Sequence, residues 1–506
     1  MSPGSSRRAP AGSLSERRAA GILLHLTSLP AADLGEDAHR FVDYLAEAGQ
    51  SIWQMLPVGP PGPRHSPYAA RSAFAGDPLL LSMAALADEG YLDQVPPPPS
   101  PGGSSQVDFE ARRAYKEPLL RAAFERFVER GRAEKAAAFE ASRPWLHTYA
   151  VFSALRDAHG EPWWLWDEHL RTPAGVEVAE GTALASEVAY HKFLQLCFAG
   201  QWDRLRTHAH ARGIRLWGDL PIFVDRDSAD VWANQHLYKL DQDGNPTVVS
   251  GVPPDAFSDT GQRWGNPVYD WDAMERDGYR WWIERLRTTF ERFDAVRIDH
   301  FRGFEAAWEI PAHEETAMHG EWVPGPGDRL FAALEAELGE LPILVEDLGI
   351  ITDEVRALRD RLGYPGMAVL HFAFEGGDDN PYLPRNQVEN SVVFTGTHDN
   401  DTTLGWWDSL PESHRHVVRT ELGIDGSDIV DDMIRAAYAS VGRTVLIPMQ
   451  DVLKLGGEAR MNRPAVLDGN WGWRFEWSQI PPGRAAGLRE LAVSTGRAGS
   501  VREGAS

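Results

Sequence analysis

Acidic side chains stand at the ends of several short apolar segments of this sequence. They are Asp219 in WGD, Asp299 in RID, Glu346 in VED and Asp399 in THD. One such residue alone is commonly a helix cap. Four carboxylates gathered in one place would repel one another and lose hydration, so a purely structural fold has little reason to collect them. Their repetition therefore predicts a reactive or binding site.

Two of these acids have neighbours of suitable chemistry. Arg297 and Asp299 are two residues apart on a predicted strand, so their side chains point the same way, and a guanidinium favours the ionised carboxyl that a nucleophile needs. Glu346 ends an apolar strand, where desolvation would raise its pKa and suit a general acid. His398 beside Asp399 could bind a substrate hydroxyl. A structural Arg–Asp pair, a barrel-lining Glu and a loop turn remain the alternatives.

Two carboxylates, a third beside them and abundant aromatic rings are typical of a glycosidic site. One carboxylate attacks the anomeric carbon, the other protonates the leaving oxygen, and the reacting carboxyls lie about 5–5.5 Å apart when configuration is retained. The third acid would stabilise an oxocarbenium-like transition state. The chain has 19 Trp, and we expect about half of them to fill the core and others to offer platforms for sugar rings.

Eight short apolar segments are predicted to be the strands that position these acids. They are residues 21–26, 51–56, 214–224, 293–299, 342–346, 367–374, 391–397 and 443–449. Most follow a helical pattern, and this alternation indicates an α/β fold with a parallel sheet. Eight strands favour a (β/α)8 TIM barrel with largely helical insertions, in which reactive side chains lie at the carboxyl ends of the strands. A doubly wound open sheet is the alternative, although no glycine fingerprint follows the first strand.

The chain is predicted to divide into a barrel with insertions and two loose ends. Residues 1–20 are rich in Ser, Gly, Pro and Arg and lack a secretory apolar region, so a disordered segment is expected. The catalytic barrel would span 21–493, with a mainly helical insertion at about 85–212 and a second at about 226–278. Residues 494–506 are expected to form a flexible tail.

Composition narrows the class of partner. The 506 residues carry a formal net charge of −24, which disfavours nucleic acid and anionic membrane surfaces as partners. Cys197 is the single cysteine, so no intrachain disulfide can form and a cytoplasmic location is expected. No set of His, Cys or carboxylate residues has convincing metal-ligand spacing. We therefore expect neither a metal nor a cofactor, and composition leaves the oligomeric state open.

Longer motifs make the chain resemble the amylomaltases, the 4-α-glucanotransferases of glycoside hydrolase family 77 in the α-amylase clan. The matching strings lie within residues 20–480 and are SPYAARSAFAGDPLL (66–80), WGDLPIFVDRDSADVWAN (217–234), VSGVPPDAFSDTGQRWGNPVYDW (249–271), FDAVRIDHFRG (293–303), WVPGPG (322–327), LVEDLG (344–349), FTGTHDNDTTLGWW (394–407) and EARMNRP (458–464). RIDHFRG, VEDLG and THDN follow the clan's order. Three further features distinguish this family from the rest of the clan: GQRWGNP, SPY with SAFAG, and WVPGPG.

The resemblance implies roles for individual residues. Asp299 looks like the nucleophile, Glu346 like the acid/base and Asp399 like the stabiliser of the transition state. Arg297 and His398 look like a pair that supports the nucleophile and binds sugar hydroxyls. Further substrate contacts implied by the resemblance are Asp219 on the third strand, Tyr68 stacking on a glucose, Gln262 and Trp264 in a loop on the acceptor side, and Asn462.

The activity implied by the resemblance is transfer of a segment of an α-1,4-glucan to the 4-OH of an acceptor glucose or glucan. The partners would then be maltooligosaccharides and α-1,4-glucans. An α-glucan hydrolase of the same clan is the nearest alternative. A non-catalytic glucan-binding protein is a third, although it would be expected to lack one of the three acids.

Overall fold

The computed structural model describes residue 14 and residues 17–98, 105–254 and 258–499. Within these residues, twelve strands form two sheets. The strands are β1 Ala19–Leu23, β2 Ile52–Gln54, β3 Arg215–Pro221, β4 Val248–Val252, β5 Gln262–Pro267, β6 Ala295–Asp299, β7 Ala306–Pro311, β8 Glu321–Pro324, β9 Ile343–Val345, β10 Gly366–Val369, β11 Ser391–Phe394 and β12 Thr444–Pro448.

The larger sheet is parallel and nearly closed into a barrel. Its strand order is β10-β11-β12-β1-β2-β3-β6-β9, and all eight correspond to the predicted strands. The two ends of this order approach each other where the amide of Val345 donates a hydrogen bond of 3.0 Å to the carbonyl of Pro365. The prediction of a (β/α)8 barrel is therefore confirmed.

The barrel interior is filled by apolar side chains from every strand. This inner core comprises Ala19, Ile52, Trp217, Ala295, Leu344, Met367, Val369, Val392, Phe394 and Leu446. Side chains alternate between the two faces of a strand, so the inward position after Trp217 is Asp219, and those after Ala295 are Arg297 and Asp299. Glu346 likewise follows Leu344. The sequence thus directs the acids towards the carboxyl-end mouth of the barrel.

Sixteen α-helices occur among the described residues. They are α1 Glu36–Glu47, α2 Met83–Asp88, α3 Phe109–Glu129, α4 Ala133–Ala141, α5 Trp145–His159, α6 Ala183–Ala211, α7 Ala229–Ala233, α8 Trp271–Arg276, α9 Arg280–Arg292, α10 Asp328–Leu338, α11 Asp353–Leu362, α12 Thr403–Ser409, α13 Glu412–Leu422, α14 Ile429–Ala439, α15 Met449–Val452 and α16 Arg484–Ser494. Outward strand residues such as Trp53 and Val296 are buried in the two large clusters that include helix residues. These helices therefore form the outer layer of the barrel.

The long segment between β2 and β3 is mainly helical, and a buried cation joins two of its parts. On α3, Lys116 is 3% exposed, and its ammonium donates to the carbonyls of Leu79 (2.8 Å) and Leu81 (2.6 Å). Because a buried ammonium is stable only when its donors are satisfied, these contacts hold α3 against the chain that follows β2. We keep the boundaries of the two insertions, 85–212 and 226–278, as a proposal.

A second, four-stranded antiparallel sheet was not predicted. Its order is β5-β4-β7-β8, and Ser250 on β4 pairs with Glu309 on β7. Its strands contain Gly, Pro and charged residues and lack regular apolar alternation, so little in the local sequence indicates them. The sheet forms because two segments distant in the chain pair with each other.

The structure also changes the predicted ends of the barrel. Strand β1 begins at Ala19, two residues before the predicted boundary. Arg497, in the predicted flexible tail, is completely buried, and its guanidinium donates to the carbonyls of Ser440 (2.8 Å) and Gly442 (2.8 Å). Residues up to 499 therefore belong to the folded part. The remainder of both predicted loose ends lies outside the described residues.

Candidate active site

Asp299 and Glu346 stand side by side at the carboxyl ends of two neighbouring strands. In the parallel pair of β6 and β9, Ile298 is opposite Val345, and the amide of Glu346 donates to the carbonyl of Ile298 at 2.9 Å. Each acid is the next residue after this pair. The structure thus brings the two predicted reactive carboxyls to the same part of the barrel mouth.

Arg297 links two of the acids. Its guanidinium donates to Asp219 on β3 at 2.6 Å and to Asp299 at 2.8 Å. The side chains of Arg297 and Asp219 are 5% and 1% exposed, whereas that of Asp299 is 29% exposed. Charge-assisted bonds in such a buried setting are strong and directional. Arg297 therefore orients Asp299 while Asp299 remains accessible from the mouth.

Two backbone amides hold the carboxylate of Glu346. The amide of His300 donates to one oxygen and the amide of Leu348 to the other, each at 2.8 Å. His300 has φ 53° and ψ 48°, a left-handed conformation that is unusual for a residue other than glycine. This turn directs its N–H at Glu346. The sequence analysis did not single out His300, although its position immediately after Asp299 could have drawn attention to it.

Asp399 is held from three sides. The side-chain amide of Asn462 donates to its carboxylate at 2.6 Å, and Arg460 donates to its backbone carbonyl at 2.6 Å. Nε2 of His398 lies 3.3 Å from the other carboxylate oxygen, and the Asp399 side chain is 42% exposed. The predicted residues Asn462, His398 and Asp399 are thus brought together, with the carboxylate open to the mouth.

Tyr68 connects the acids of different strands. Its hydroxyl lies 2.8 Å from an oxygen of Asp219 and 2.8 Å from Nε2 of His398. The rings of Tyr68 and His398 stack with centroids 5.2 Å apart and planes at 13°. Burial and the charge of Asp219 raise the pKa of Tyr68 well above its ordinary value. The tyrosine therefore stays a neutral donor in this network.

Trp264 and Gln262 lie on strand β5 rather than in a loop, which corrects the prediction. The indole of Trp264 donates to Gln262 at 3.2 Å. Its ring meets that of His300 edge-on, with centroids 4.7 Å apart and an angle of 90°. Since Trp264 is 39% exposed and His300 follows Asp299, this edge of the second sheet forms a wall beside the two reactive carboxyls.

The pKa values of Asp299 and Glu346, the two carboxyls predicted to react, are both raised in the folded protein. Burial raises the pKa of Asp299 to about 8; Arg297 opposes this rise, and the charges of Asp219, Glu346 and Asp399 add to it. Burial also raises the pKa of Glu346, against the effects of Arg297 and the two amides. The expectation that Arg297 keeps Asp299 ionised is therefore not met, because desolvation and three other carboxyls outweigh one guanidinium.

These shifts make the two carboxyls act as a pair. Because the charge of Glu346 contributes to the raised pKa of Asp299, the titration of each carboxyl depends on the other. Burial also lowers the pKa of His398, which makes it a neutral hydrogen-bonding group. Two neighbouring carboxyls with raised pKa values, a neutral imidazole and a third acid fit nucleophilic attack with protonation of a leaving oxygen. Among the described residues, no cluster of three His, Cys, Asp or Glu side chains is placed to hold a metal ion.

Comparison with known proteins shows which family this chain resembles. The sequence pattern of the family described as 4-alpha-glucanotransferase, glycoside hydrolase family 77, matches residues 24–479. The 4-alpha-glucanotransferase of Thermus thermophilus is 48% identical over 95% of this chain and 99% of its own length. That of Synechocystis is 46% identical over 92% of this chain and 95% of its own length.

A solved structure agrees with these sequence matches. An amylomaltase from Streptococcus agalactiae in complex with acarbose superposes with a TM-score of 0.89 and 34% identity, over 95% of this chain and all of the other. This chain belongs to the 4-alpha-glucanotransferase family, and it is an enzyme of that family.

Proposed function

We propose that this enzyme transfers a segment of an α-1,4-glucan to the 4-OH of an acceptor glucose or glucan by a retaining double displacement. The observation that carries the proposal is the pair of adjacent carboxyls, Asp299 bonded to Arg297 and Glu346 held by two amides. An inverting enzyme needs room for a water between its carboxyls, whereas neighbouring strand ends favour the shorter separation of a retaining enzyme.

In the first step, a carboxylate oxygen of Asp299 attacks the anomeric carbon of the donor glucan. The bond from that carbon to the 4-oxygen of the next glucose breaks, and Glu346 gives its proton to the departing oxygen. Arg297 favours the form in which Asp299 is ionised and Glu346 carries the proton, because its guanidinium bonds Asp299 directly. The product of this step is a glycosyl ester on Asp299.

In the second step, Glu346 acts as a base. It removes the proton from the 4-OH of the acceptor, whose oxygen attacks the anomeric carbon and displaces Asp299. Asp299 leaves as a carboxylate and Glu346 is protonated again, so the catalyst is restored. The two inversions together retain the α configuration.

The other acids and the aromatic residues complete the site. Asp399, held by Asn462, would stabilise the positive charge that develops at the anomeric centre. His398 and Asp219 would bind sugar hydroxyls, and Tyr68 would stack on the glucose at the cleaved bond. These roles are supported by the hydrogen bonds that join the residues in one network.

Transfer rather than hydrolysis requires that an acceptor sugar outcompete water. Trp264 and Gln262 on β5 would provide the acceptor wall, since an exposed indole offers an apolar face to a sugar ring while excluding water. A hydrolase of the same clan would need no such wall.

We also propose a cytoplasmic location. Cys197 is buried and unpaired, which suits a reducing compartment. Among the described residues, no helix is long and apolar enough to cross a membrane.

Product analysis from maltotriose tests the function. The transferase should release glucose together with maltopentaose and longer chains, with little increase in total reducing ends. A control variant is Asp294→Asn, which replaces the acid just before the strand that ends in Asp299. It should give the same products as the wild-type enzyme. Products no longer than maltotriose, with reducing ends increasing in step with cleavage, would instead establish a hydrolase.

A further inference from the structure

A buried carboxylate behind the active site has no role in the chemistry described above. Asp451 lies on the short helix α15, directly after barrel strand β12, and is 1% exposed. Burying a carboxylate is costly unless its oxygens accept hydrogen bonds. In the part of the chain that the structure describes, its carboxylate accepts hydrogen bonds from a single neighbouring segment, residues 395–403, which carries His398 and Asp399.

Asp451 accepts three hydrogen bonds from the two ends of that segment. The hydroxyl of Thr395, which follows strand β11, donates at 2.6 Å. The amide of Thr403, the first residue of α12, donates at 2.8 Å, and its hydroxyl donates at 2.7 Å. One carboxylate therefore fixes the end of a strand and the beginning of a helix relative to each other.

His371, in the short 3-10 helix that follows strand β10, completes this arrangement. The hydroxyl of Thr403 gives its hydrogen to Asp451, so at 3.1 Å it accepts one from Nε2 of His371. Burial lowers the pKa of His371 to about 3, so the ring is neutral with its hydrogen on Nε2. The amide of His371 donates to the carbonyl of Thr395 at 3.2 Å. Both ends of the segment are thus held by a connected set of buried bonds.

The part of the segment between these ends is supported at the mouth of the barrel, where the hydroxyl of Tyr68 lies 2.8 Å from Nε2 of His398. Within it, the amide and hydroxyl of Thr397 donate to Asn400 at 2.9 and 2.8 Å, which shapes the turn but does not attach it to the barrel. At the front, Asn462 and Arg460 reach Asp399 from one loop. Behind the mouth, Asp451 together with His371 therefore provides the buried side-chain attachment of both ends of the segment.

We propose that Asp451 is a positioning residue of the transfer reaction: it ties Thr395 to Thr403 and thereby sets the place of Asp399 at the anomeric centre. The inference rests on the proposed function. A carboxylate that stabilises a transition state must lie within a fraction of an ångström of its place, and a shift of about 1 Å can lower a rate by about 100-fold. Asp451 acts on the reaction through Asp399 and touches no substrate.

The first test compares Asp451→Asn with Asp294→Asn. Asp294 is also a largely buried acid, bonded to the amide of Leu216 at 2.9 Å and to Arg206 at 3.0 Å, but it lies at the amino end of the barrel strands. D451N should lower kcat about 30-fold and change KM less than about 3-fold, because Asp399 acts in the transition state. D294N should lower the melting temperature while kcat stays within about 2-fold of wild type.

The second test is a double-mutant cycle with Asp399→Asn. A maltotriosyl fluoride donor keeps the rates measurable, since fluoride departs without a proton from Glu346. If Asp451 acts through Asp399, D451N should lower the rate by less than about 3-fold once Asp399 is replaced, although it lowers the rate about 30-fold in wild type. D294N should have equal effects in both backgrounds.

These measurements separate failure of this proposal from failure of the function. Wild-type enzyme that makes no longer chains from maltotriose contradicts the proposed function. Equal effects of D451N with and without Asp399, or an unchanged kcat in D451N, contradict the positioning role alone. If D451N does not fold, Thr395→Val removes one donor at nearly the same volume. A loss in kcat of about 5-fold that disappears in the D399N background supports the role, and an unchanged kcat contradicts it.

Discussion

Asp219 and Arg297 are paired residues of two neighbouring barrel strands, and their side chains meet at 2.6 Å. The other terminal nitrogen of the same guanidinium donates to Asp299 at 2.8 Å. The proposed nucleophile Asp299 is thus oriented, through Arg297, by an acid on a neighbouring strand. Tyr68 in turn joins Asp219 to His398. One hydrogen-bonded network therefore contains Asp219, Arg297, Asp299, Tyr68 and His398.

Replacing Asp299 with asparagine should abolish transfer and raise stability above neutral pH. We expect D299N to lower kcat by at least about 10³-fold, because an amide cannot form the glycosyl ester. The native pKa of about 8 exceeds the ordinary 3.8, so between these pH values the folded state binds more protons than the unfolded state. Stability therefore falls as pH rises through this window.

D299N has no titrating carboxyl at this position, so it should not lose stability in this way as the pH rises. D299N should match wild type in melting temperature near pH 4 and exceed it by about 1–3 °C at pH 8–9. Thermal unfolding across pH, with maltotriose assays at pH 7, measures both effects. Normal transfer by D299N would remove Asp299 from its assigned role, and a loss of stability at high pH would contradict the raised pKa.

Glu346→Gln should separate the two steps of the reaction. A glutamine cannot protonate a leaving sugar, so turnover of maltotriose should fall at least about 10³-fold. Maltotriosyl fluoride needs no acid, so formation of the glycosyl ester should stay within about 10-fold of wild type. Azide needs no base and should release the accumulated ester as an α-glycosyl azide, which chromatography detects. Equal losses on both donors, without rescue by azide, would contradict the acid/base role.

Tyr68→Phe tests the hydroxyl that bridges two strands. The ring can still stack on His398, while Asp219 and His398 lose a shared partner. We expect kcat to fall about 10-fold. The free energy of unfolding should fall by about 1 kcal/mol, as is usual for a lost hydrogen bond. Kinetics on maltotriose and denaturant unfolding give the two numbers. An unchanged kcat would show that the bridge does not matter for catalysis.

Trp264→Ala tests the acceptor wall. Removing the indole should admit water and weaken acceptor stacking, so hydrolysis should rise by about 5–10-fold relative to transfer. The ratio of new reducing ends to longer chains measures this directly. Val128→Ala is a matched control, because Val128 is also exposed but lies on α3. The wall assignment is wrong if W264A keeps the wild-type ratio.

A good part of the fold and site followed from local sequence. Each of the eight barrel strands is a short apolar segment, and strand alternation by itself directs Asp219, Arg297 and Asp299 to the same side. The family motifs added Tyr68, Gln262, Trp264 and Asn462, which no periodicity would have selected. The site roles of these residues stay predictions until the variants are measured.

Other features could not be read from the sequence. The second sheet joins β4 to β7 across a long stretch of chain, and its strands carry no regular pattern. His300 serves Glu346 through a backbone amide, which any residue possesses. Asp451 follows strand β12 just as the other acids follow theirs, so it could have been noticed, but its partners Thr395 and Thr403 could not have been inferred.

The sequence by itself determined where the eight barrel strands lie along the chain and which way their residues point, because both depend on chain neighbours and a period of two. Only the tertiary structure decided the pKa shifts of Asp299 and Glu346 and the anchoring of Asp399. Desolvation and the fields of surrounding charges depend on every segment that closes around a group. For that reason, the burial that raises the pKa of Asp299 to about 8 exists only once the strands have come together.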